Sequence, residues 1–363
     1  MMADLKIYCE GIDGAALEQI YSLAKFEAYR DSKIRIMPDA HAGIGCTVGT
    51  TMTLTDKVTP NLVGVDIGCG MTVAELGRTT VDPCRLEELI EREIPSGMNV
   101  RTRGLRDTSE ALALLDALRC PCERRDYNAL SIGTLGGGNH FIELDEDDGG
   151  NVYLVVHSGS RNLGKKVCEY YQDLAGKERV NAGQTAVPAH LAYLEGPSFK
   201  DYIHDMELCQ RFASLNRRAM VRVILEGLGI EAKVVWQTIH NYIDTEHMIL
   251  RKGSISAQEG ERVIIPMNMR DGSLICIGKG NPDWNCSAPH GAGRLLSRSD
   301  AGRLIDLEDF RREMAGIASW SVCSSTLDEA PGAYKPMETI IPQLEPTVTV
   351  ENIIRPVFNY KAH

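Results

Sequence analysis

An α+β fold is what this sequence predicts, and three observations carry the prediction. Segments with helical apolar periodicity and segments with strand-like alternation are interspersed without the regular strand–helix–strand rhythm of a doubly wound sheet. No Pro/Ser-rich linker and no fixed-period repeat interrupts the 363 residues, so residues 1–363 read as one compact domain of central β-sheets flanked by helices. A hydrophobic content of 43% suits a sizeable buried core.

Residues 15–30, around LEQIYSLAKFEAYR, read as a helix, and KIRIMPD as a strand running into a glycine-rich turn. TVGTTMTL is β-rich in composition. FIELDEDDGGNVYLVVHSG reads as a hairpin, because two alternating or apolar runs flank an acidic, glycine-bearing turn. A symmetric hairpin centred near residue 148 or 149 sets His140 opposite His157, with Cβ atoms roughly 5 Å apart on one face. After His157, RNLGKKVCEYYQDLAGKE reads as a helix, and residues 200–228 as a longer one with a buried stripe of Leu208, Phe212, Leu215 and Ala219. RVIIPMNM and SLICIGKG read as two strands joined by RDG, and SRSDAGRLIDLEDFRREMAG as a further helix.

The formal net charge of −11 argues against bulk, sequence-blind attraction to nucleic acid. Three local basic clusters stand against that balance: Arg101, Arg103 and Arg106; Arg211, Arg217, Arg218 and Arg222; Lys165 and Lys166. Each is a solvated face or a substrate groove. The 11 cysteines show no tandem framework and read as reduced thiols, mostly core filler with one or two ligands. With no bilayer-length apolar stretch and no signal pattern in MMADLKIYCEG, a cytoplasmic protein with no membrane partner is expected.

The chemistry-bearing residues are spaced along the chain as Asp66 and Cys69 in VDIGCG, His140 in GGGNHF, His157 in VVHSGS and His240 in TIHNYID. A carboxylate and a thiolate three residues apart in a glycine-rich turn can grip one ion, and a thiolate can bridge two. Joined to three imidazoles they read as a two-metal site able to clamp a phosphoryl group. GTLGGGNHF lacks a P-loop lysine but offers backbone N–H groups to phosphate, with Asn139 beside them. Glu143 reads either as an acceptor for a ligand or as a solvent-facing strand position. His290, in APHGAGR, is left uncrowded by Gly291 and Gly293, with Arg294 one turn on if a helix starts there. It reads as a nucleophile toward phosphorus or as a sixth metal ligand.

VDIGCGM, GTLGGGNHFIE, VVHSGSRNLG, IHNYID, HGAGRLLSR, EAPGAYK and a lysine near the C-terminus, in that order and across nearly the whole chain, resemble the RtcB family of GTP-dependent RNA ligases. The resemblance implies an enzyme of tRNA splicing or RNA repair that uses Mn2+, two per chain, and GTP. It would join RNA ending in 3′-phosphate or 2′,3′-cyclic phosphate to a 5′-hydroxyl end, with an archease-like activator as a further partner. It also implies Asp66, Cys69 and His140 on one manganese, Cys69, His157 and His240 on the other, and His290 as the guanylylated nucleophile. Contacts to GMP fall by the same resemblance to Asn139, His140, Glu143, His240 and Asn241, to Pro266, Met267, Asn268, Met269 and Ser273, and to His290, Gly291, Ala292, Gly293, Tyr334 and Lys361. On residue type alone, Lys361 reads as a tail charge.

One segment departs from that pattern. Relatives read approximately PGSMGTAS where this chain has PMNMRDGS, which places Asn268, Met269 and Arg270 where small residues approach phosphate. Arg270 and Lys279 are the candidates to replace lost phosphate contacts. Two other readings of the same residues are a binuclear metal phosphoesterase, with His290 as acid or base, and a non-catalytic RNA-binding relative.

Overall fold

Two sheets meet at the segment that carries His240. In the computed structural model, which describes residues 2–43 and 45–362, a seven-stranded antiparallel sheet runs in the order Arg262–Asn268, Gly272–Gly278, Val348–Lys361, Phe141–Glu146, Val152–Ser158, Gly70–Gly77, Val234–Ile239. Its two outer strands approach each other: the Ile264 amide donates to Thr238 Oγ1 at 3.2 Å, and the Arg262 guanidinium lies 4.8 Å from the centre of the Trp236 ring. The sheet therefore curls around an apolar interior that includes Met71, Val73, Phe141, Val155, Ile264 and Ile354. A five-stranded sheet holds Asp4–Ile7, Lys33–His41, Val48–Thr53, Ile249–Lys252 and Asn241–Asp244, with only its first pair parallel. The chain leaves the larger sheet at Ile239 and enters the smaller at Asn241, so His240 stands at the junction.

The expected helices form where the apolar stripes predicted them. Gly14–Lys25 is capped by Asp13, whose side chain accepts from the Ala16 amide at 2.8 Å, and a short 3-10 turn, Glu27–Tyr29, replaces the last part of the expected helix. The helices Asn162–Asn181 and Gly196–Leu228 lie side by side, and Leu208, Phe212, Leu215 and Ala219 are all buried. Burying a side chain such as Phe212 is worth roughly 2–3 kcal/mol. The helix expected over SRSDAGRLIDLEDFRREMAG is two, Arg298–Leu304 and Leu307–Glu313. Asp306 ends the first and caps the second, accepting from the Glu308 and Asp309 amides at 2.8 and 3.2 Å.

The hairpin forms, but its register differs by one residue from the symmetric one. Phe141, not His140, pairs with His157, and the turn centres on Gly149. Such a slip turns alternate side chains to opposite faces within a strand. His140 escapes that consequence because it precedes the strand, in the loop where Gly138 takes φ +69°. Its ring centre lies 5.3 Å from that of His157.

Candidate active site

A cavity of about 360 Å³ opens at the junction of the sheets. Its walls include Asp66, Cys69, His157 and His240 at one end and Glu143, Glu329, Tyr334 and Lys361 at the other, with His290 between.

At the first end, local hydrogen bonds fix each imidazole. His140 Nδ1 lies 2.9 Å from the Leu135 carbonyl and His157 Nδ1 lies 3.1 Å from the Asn139 carbonyl, so both Nδ1 atoms carry hydrogen and both Nε2 lone pairs point inward. These Nε2 atoms converge on Cys69 Sγ at 3.5 and 3.3 Å, and His140 Nε2 also meets Asp66 Oδ2 at 3.1 Å. His240 adds a ring 5.2 Å from His157, and its buried Nδ1 has no hydrogen-bond partner among the described residues.

These groups fit a metal on their own chemistry. Cys69, His140 and His157 present ligand atoms within 4.8 Å of one another, all buried. Burial, with the Asp66 charge beside it, pushes the Cys69 thiol well above its ordinary range, while burial and neighbouring imidazoles push His157 and His240 well below theirs. Burial raises Asp66 too, but the neighbouring His140, Cys69 and Arg161 together outweigh that and hold it at about 2. The result is a carboxylate, a thiol and imidazoles gathered around one point, an arrangement that a soft or borderline cation suits and that would drive the thiol to thiolate.

The turn carrying Asp66 and Cys69 is held from beneath by the long helix. Arg217, fully buried, donates through Nη1 to the Gly68 and Ser158 carbonyls at 2.7 and 2.8 Å. Asn216 accepts from the Gly133 and Thr134 amides at 2.8 and 3.0 Å and donates to the Gly159 carbonyl at 3.2 Å. Two adjacent side chains thus tie together the three loops that precede or follow Cys69, His140 and His157. This corrects the reading of Arg217 as part of a solvated face or a substrate groove. In that cluster Arg211 and Arg218 are exposed and Arg222 pairs with Asp107, while Lys165 and Lys166 pair with Glu169. Gly159 completes the arrangement, since a Cβ there would lie 2.0 Å from Asp66 Oδ1.

His290 follows the strand Ser287–Pro289 and no helix begins there, so Arg294 is not one helical turn on. Arg294 turns instead to Tyr334, with Nη1 3.0 Å from its hydroxyl. His290 Nδ1 donates to Asp39 Oδ2 at 2.7 Å, and the His290 amide reaches the same oxygen at 3.2 Å. Asp39 is fully buried, so this bond leaves Nε2 as the reactive atom of a ring 5.0 Å from His240. Sequence reading missed Asp39. Its signal is weak: a lone aspartate in MPDAH, distant by 251 positions.

The opposite end converges on Glu329, also unforeseen. Lys361 Nζ, Tyr334 OH and Arg298 Nη1 lie 2.7, 2.8 and 2.5 Å from its carboxylate. Burial raises Glu329, but Lys361 and Arg298 outweigh it and hold the carboxyl down to about 2. Lys361 is no tail charge: it is 4% exposed, at the end of the strand Val348–Lys361. Glu143 is not solvent-facing either. It is buried, takes a bond from Asn359, and burial pushes its carboxyl up to about 7 despite Lys361.

Asn139, Asn241, Pro266, Met267, Asn268, Met269, Gly291, Ala292 and Gly293 also line the cavity; Ser273 does not, being buried opposite Pro266 in the neighbouring strand. Asn268 spends its side chain on the turn, accepting from the Arg270 and Asp271 amides at 3.0 and 2.9 Å, while Met269 packs with Phe310 and Met314. Arg270 pairs with Asp271 and Lys279 with Glu345. His41, Lys252 and Arg298 are further lining residues that sequence reading did not single out.

A buried thiol and imidazoles that could hold a metal thus lie beside an oriented histidine, the kind of site a metal-dependent enzyme carries. The chain belongs to the RtcB family: the model described as tRNA-splicing ligase RtcB matches residues 19–119 and 110–362. It is 34% identical over 395 aligned positions to RNA-splicing ligase RtcB of Escherichia coli (strain K12), covering 98% of this chain and 96% of that one. It is 26% identical to tRNA-splicing ligase RtcB of Aeropyrum pernix, covering 84% and 82%, and 27% identical to RNA-splicing ligase RtcB of Mycobacterium tuberculosis, covering 84% and 90%. The chain is thus an RNA ligase by family. No helix among the described residues is long and apolar enough to cross a membrane.

Proposed function

We propose that this chain, acting as one ligase domain over residues 1–363, is a cytoplasmic GTP- and Mn2+-dependent ligase that joins RNA ends bearing 3′-phosphate or 2′,3′-cyclic phosphate to 5′-hydroxyl ends. The observation that carries the reading is the Asp39–His290 bond, which commits Nδ1 and leaves Nε2 facing a cavity walled by potential metal ligands. Asp66, Cys69 and His140 would hold one Mn2+ and Cys69, His157 and His240 the other, with Cys69 shared. Bound there, the metals supply charge neutralisation for the phosphates.

His290 Nε2 attacks the α-phosphorus of GTP, the α–β P–O bond breaks, pyrophosphate leaves, and a phosphoramidate joins GMP to the ring. Asp39 stabilises the positive charge the ring acquires in that step. GMP then passes to the RNA 3′-phosphate, and the 5′-hydroxyl oxygen attacks that phosphorus and expels GMP. Lys361, Tyr334 and Glu143 hold the nucleotide at the end of the cavity away from Cys69, while Asn139, Asn241 and the Gly291–Gly293 turn approach its phosphates. An archease-like activator would speed turnover.

The test is joining of a 3′-phosphate RNA to a 5′-hydroxyl RNA with GTP and Mn2+. Product that requires both supports the reading. Release of inorganic phosphate without joining, or RNA binding with neither, supports the phosphoesterase or non-catalytic alternative and overturns it.

A further inference from the structure

Behind Glu143 the curled sheet buries a second carboxyl group that the proposed mechanism does not use. Asp145 lies two residues on in the same strand, hence on the same face as Glu143, and is fully buried. Among the described residues no donor reaches either of its oxygens. Two polar side chains of this face are committed elsewhere. Tyr153, directly opposite Asp145, sends its hydroxyl to Asp147 Oδ2 at 3.0 Å, and Asn352 Nδ2 donates to the same oxygen at 3.0 Å. The rest of this interior is Val73, Val155, Ile264, Ile275 and Ile354.

A second orphan shares the face. Asn359, directly opposite Glu143 on the adjoining strand, donates through Nδ2 to Glu143 Oε1, but its own fully buried Oδ1 has no donor. An ionised Asp145 in this setting would leave a charge with no counter-ion and no hydrogen bond, at a cost of several kcal/mol. A neutral Asp145 removes that charge and supplies an O–H on the same face as Glu143 and the donor-less Asn359 Oδ1.

We propose that Asp145 is a neutral carboxylic acid whose O–H donates into the Glu143–Asn359 pair and makes it a positioning residue for the nucleotide end of the cavity. Asn359 holds one Glu143 oxygen from across the strand, Asp145 closes the pair from behind, and the remaining Glu143 oxygen is left facing the cavity it lines. Burial, reinforced by the Glu143 charge, pushes the Asp145 carboxyl well above its ordinary range, in agreement. The link to nucleotide binding rests on the ligase reading above; the protonation of Asp145 does not.

Two measurements separate these. The infrared difference between the wild-type protein and Asp145→Asn near neutral pH should contain the carbonyl stretch of a protonated carboxylic acid, shifted by 13C-aspartate labelling. An absent band, as an ionised or cation-bound Asp145 would give, overturns the proposal without reference to activity. In guanylylation assays Asp145→Leu should raise KM for GTP about tenfold, the loss of roughly one well-placed hydrogen bond, with kcat within about twofold. Asp145→Asn should restore KM, because its amide N–H replaces the O–H. A wild-type KM in the leucine variant overturns the positioning role. If the wild-type protein forms no guanylylated species, the ligase reading fails while the infrared band still decides the state of Asp145.

Discussion

The Cys69 end of the cavity gathers a carboxylate, a thiol and imidazoles, whereas at the Glu329 end opposite charges are already matched. Asp66, Cys69, His140 and His157 converge through one another's polar atoms. Glu329 meets Lys361, Arg298 and Tyr334 within 2.8 Å. The first arrangement suits a cation. The second is a preformed socket whose donors are oriented before any ligand arrives, which lowers the cost of ordering them on binding.

The largest effect expected from breaking this contrast is at Cys69. In the proposed arrangement Cys69 is the shared ligand, so its loss would uncouple both metals while loss of a terminal imidazole would weaken one. Cys69→Ser should retain no tightly bound Mn2+ and no joining activity; elemental analysis finding two tightly held ions per chain would end the bridging role. Next comes Asp39→Asn, which disturbs neither end but releases His290. Guanylylation should fall by ~10²- to 10⁴-fold with metal content unchanged, and a normal rate would remove Asp39 from the mechanism.

Glu329→Gln sharpens the other side of the comparison. It leaves the buried Lys361 beside a neutral amide, with the exposed Arg298 at the rim, and a loss of roughly 3 kcal/mol is expected in denaturant titration at neutral pH. The pH dependence follows from the depressed carboxyl: held at about 2 against an ordinary 4.5, Glu329 contributes stability above 4.5 that disappears as pH falls through about 2. The glutamine variant should show a shallower loss across that window, and parallel wild-type and variant curves would contradict the socket. The smallest effect belongs to the Pro266–Ser273 segment. Because Asn268 closes its own turn and Arg270 pairs with Asp271, replacing both by small residues should change the apparent GTP affinity by only a few-fold, measured by guanylylation across GTP concentrations. Loss of metals in that variant would break the separation of the two ends.

The same contrast explains what was legible in the sequence. Asp66 and Cys69 share one turn, and each histidine of the metal end sits in a glycine- or strand-bounded motif, so residue type and spacing announce them. The interspersed helices and strands likewise gave α+β, because apolar periodicity is local. The rest of the site is assembled from positions far apart: Lys361 is 32 residues from Glu329 and Asp39 is 251 from His290. Nothing in residue type separates a buried Lys361 from a tail lysine, or a buried Glu143 from an exposed strand position, until the sheet curls over them. Arg217 illustrates the same limit in reverse. It sits among Arg211, Arg218 and Arg222 in sequence, yet helical rotation takes it alone into the interior, under Gly68. The hairpin register failed for a smaller reason, since the turn centres on Gly149 and His140 lies before the strand.

The proposed guanylylation of His290 is tested most directly by intact-mass analysis of the protein after incubation with GTP and Mn2+, beside His290→Ala. One GMP per chain is expected on the wild-type protein, stable to alkali and lost in acid as a phosphoramidate is, and none on the alanine variant, which should still bind metal. An adduct that persists in His290→Ala, or that maps to a lysine, would contradict the assignment.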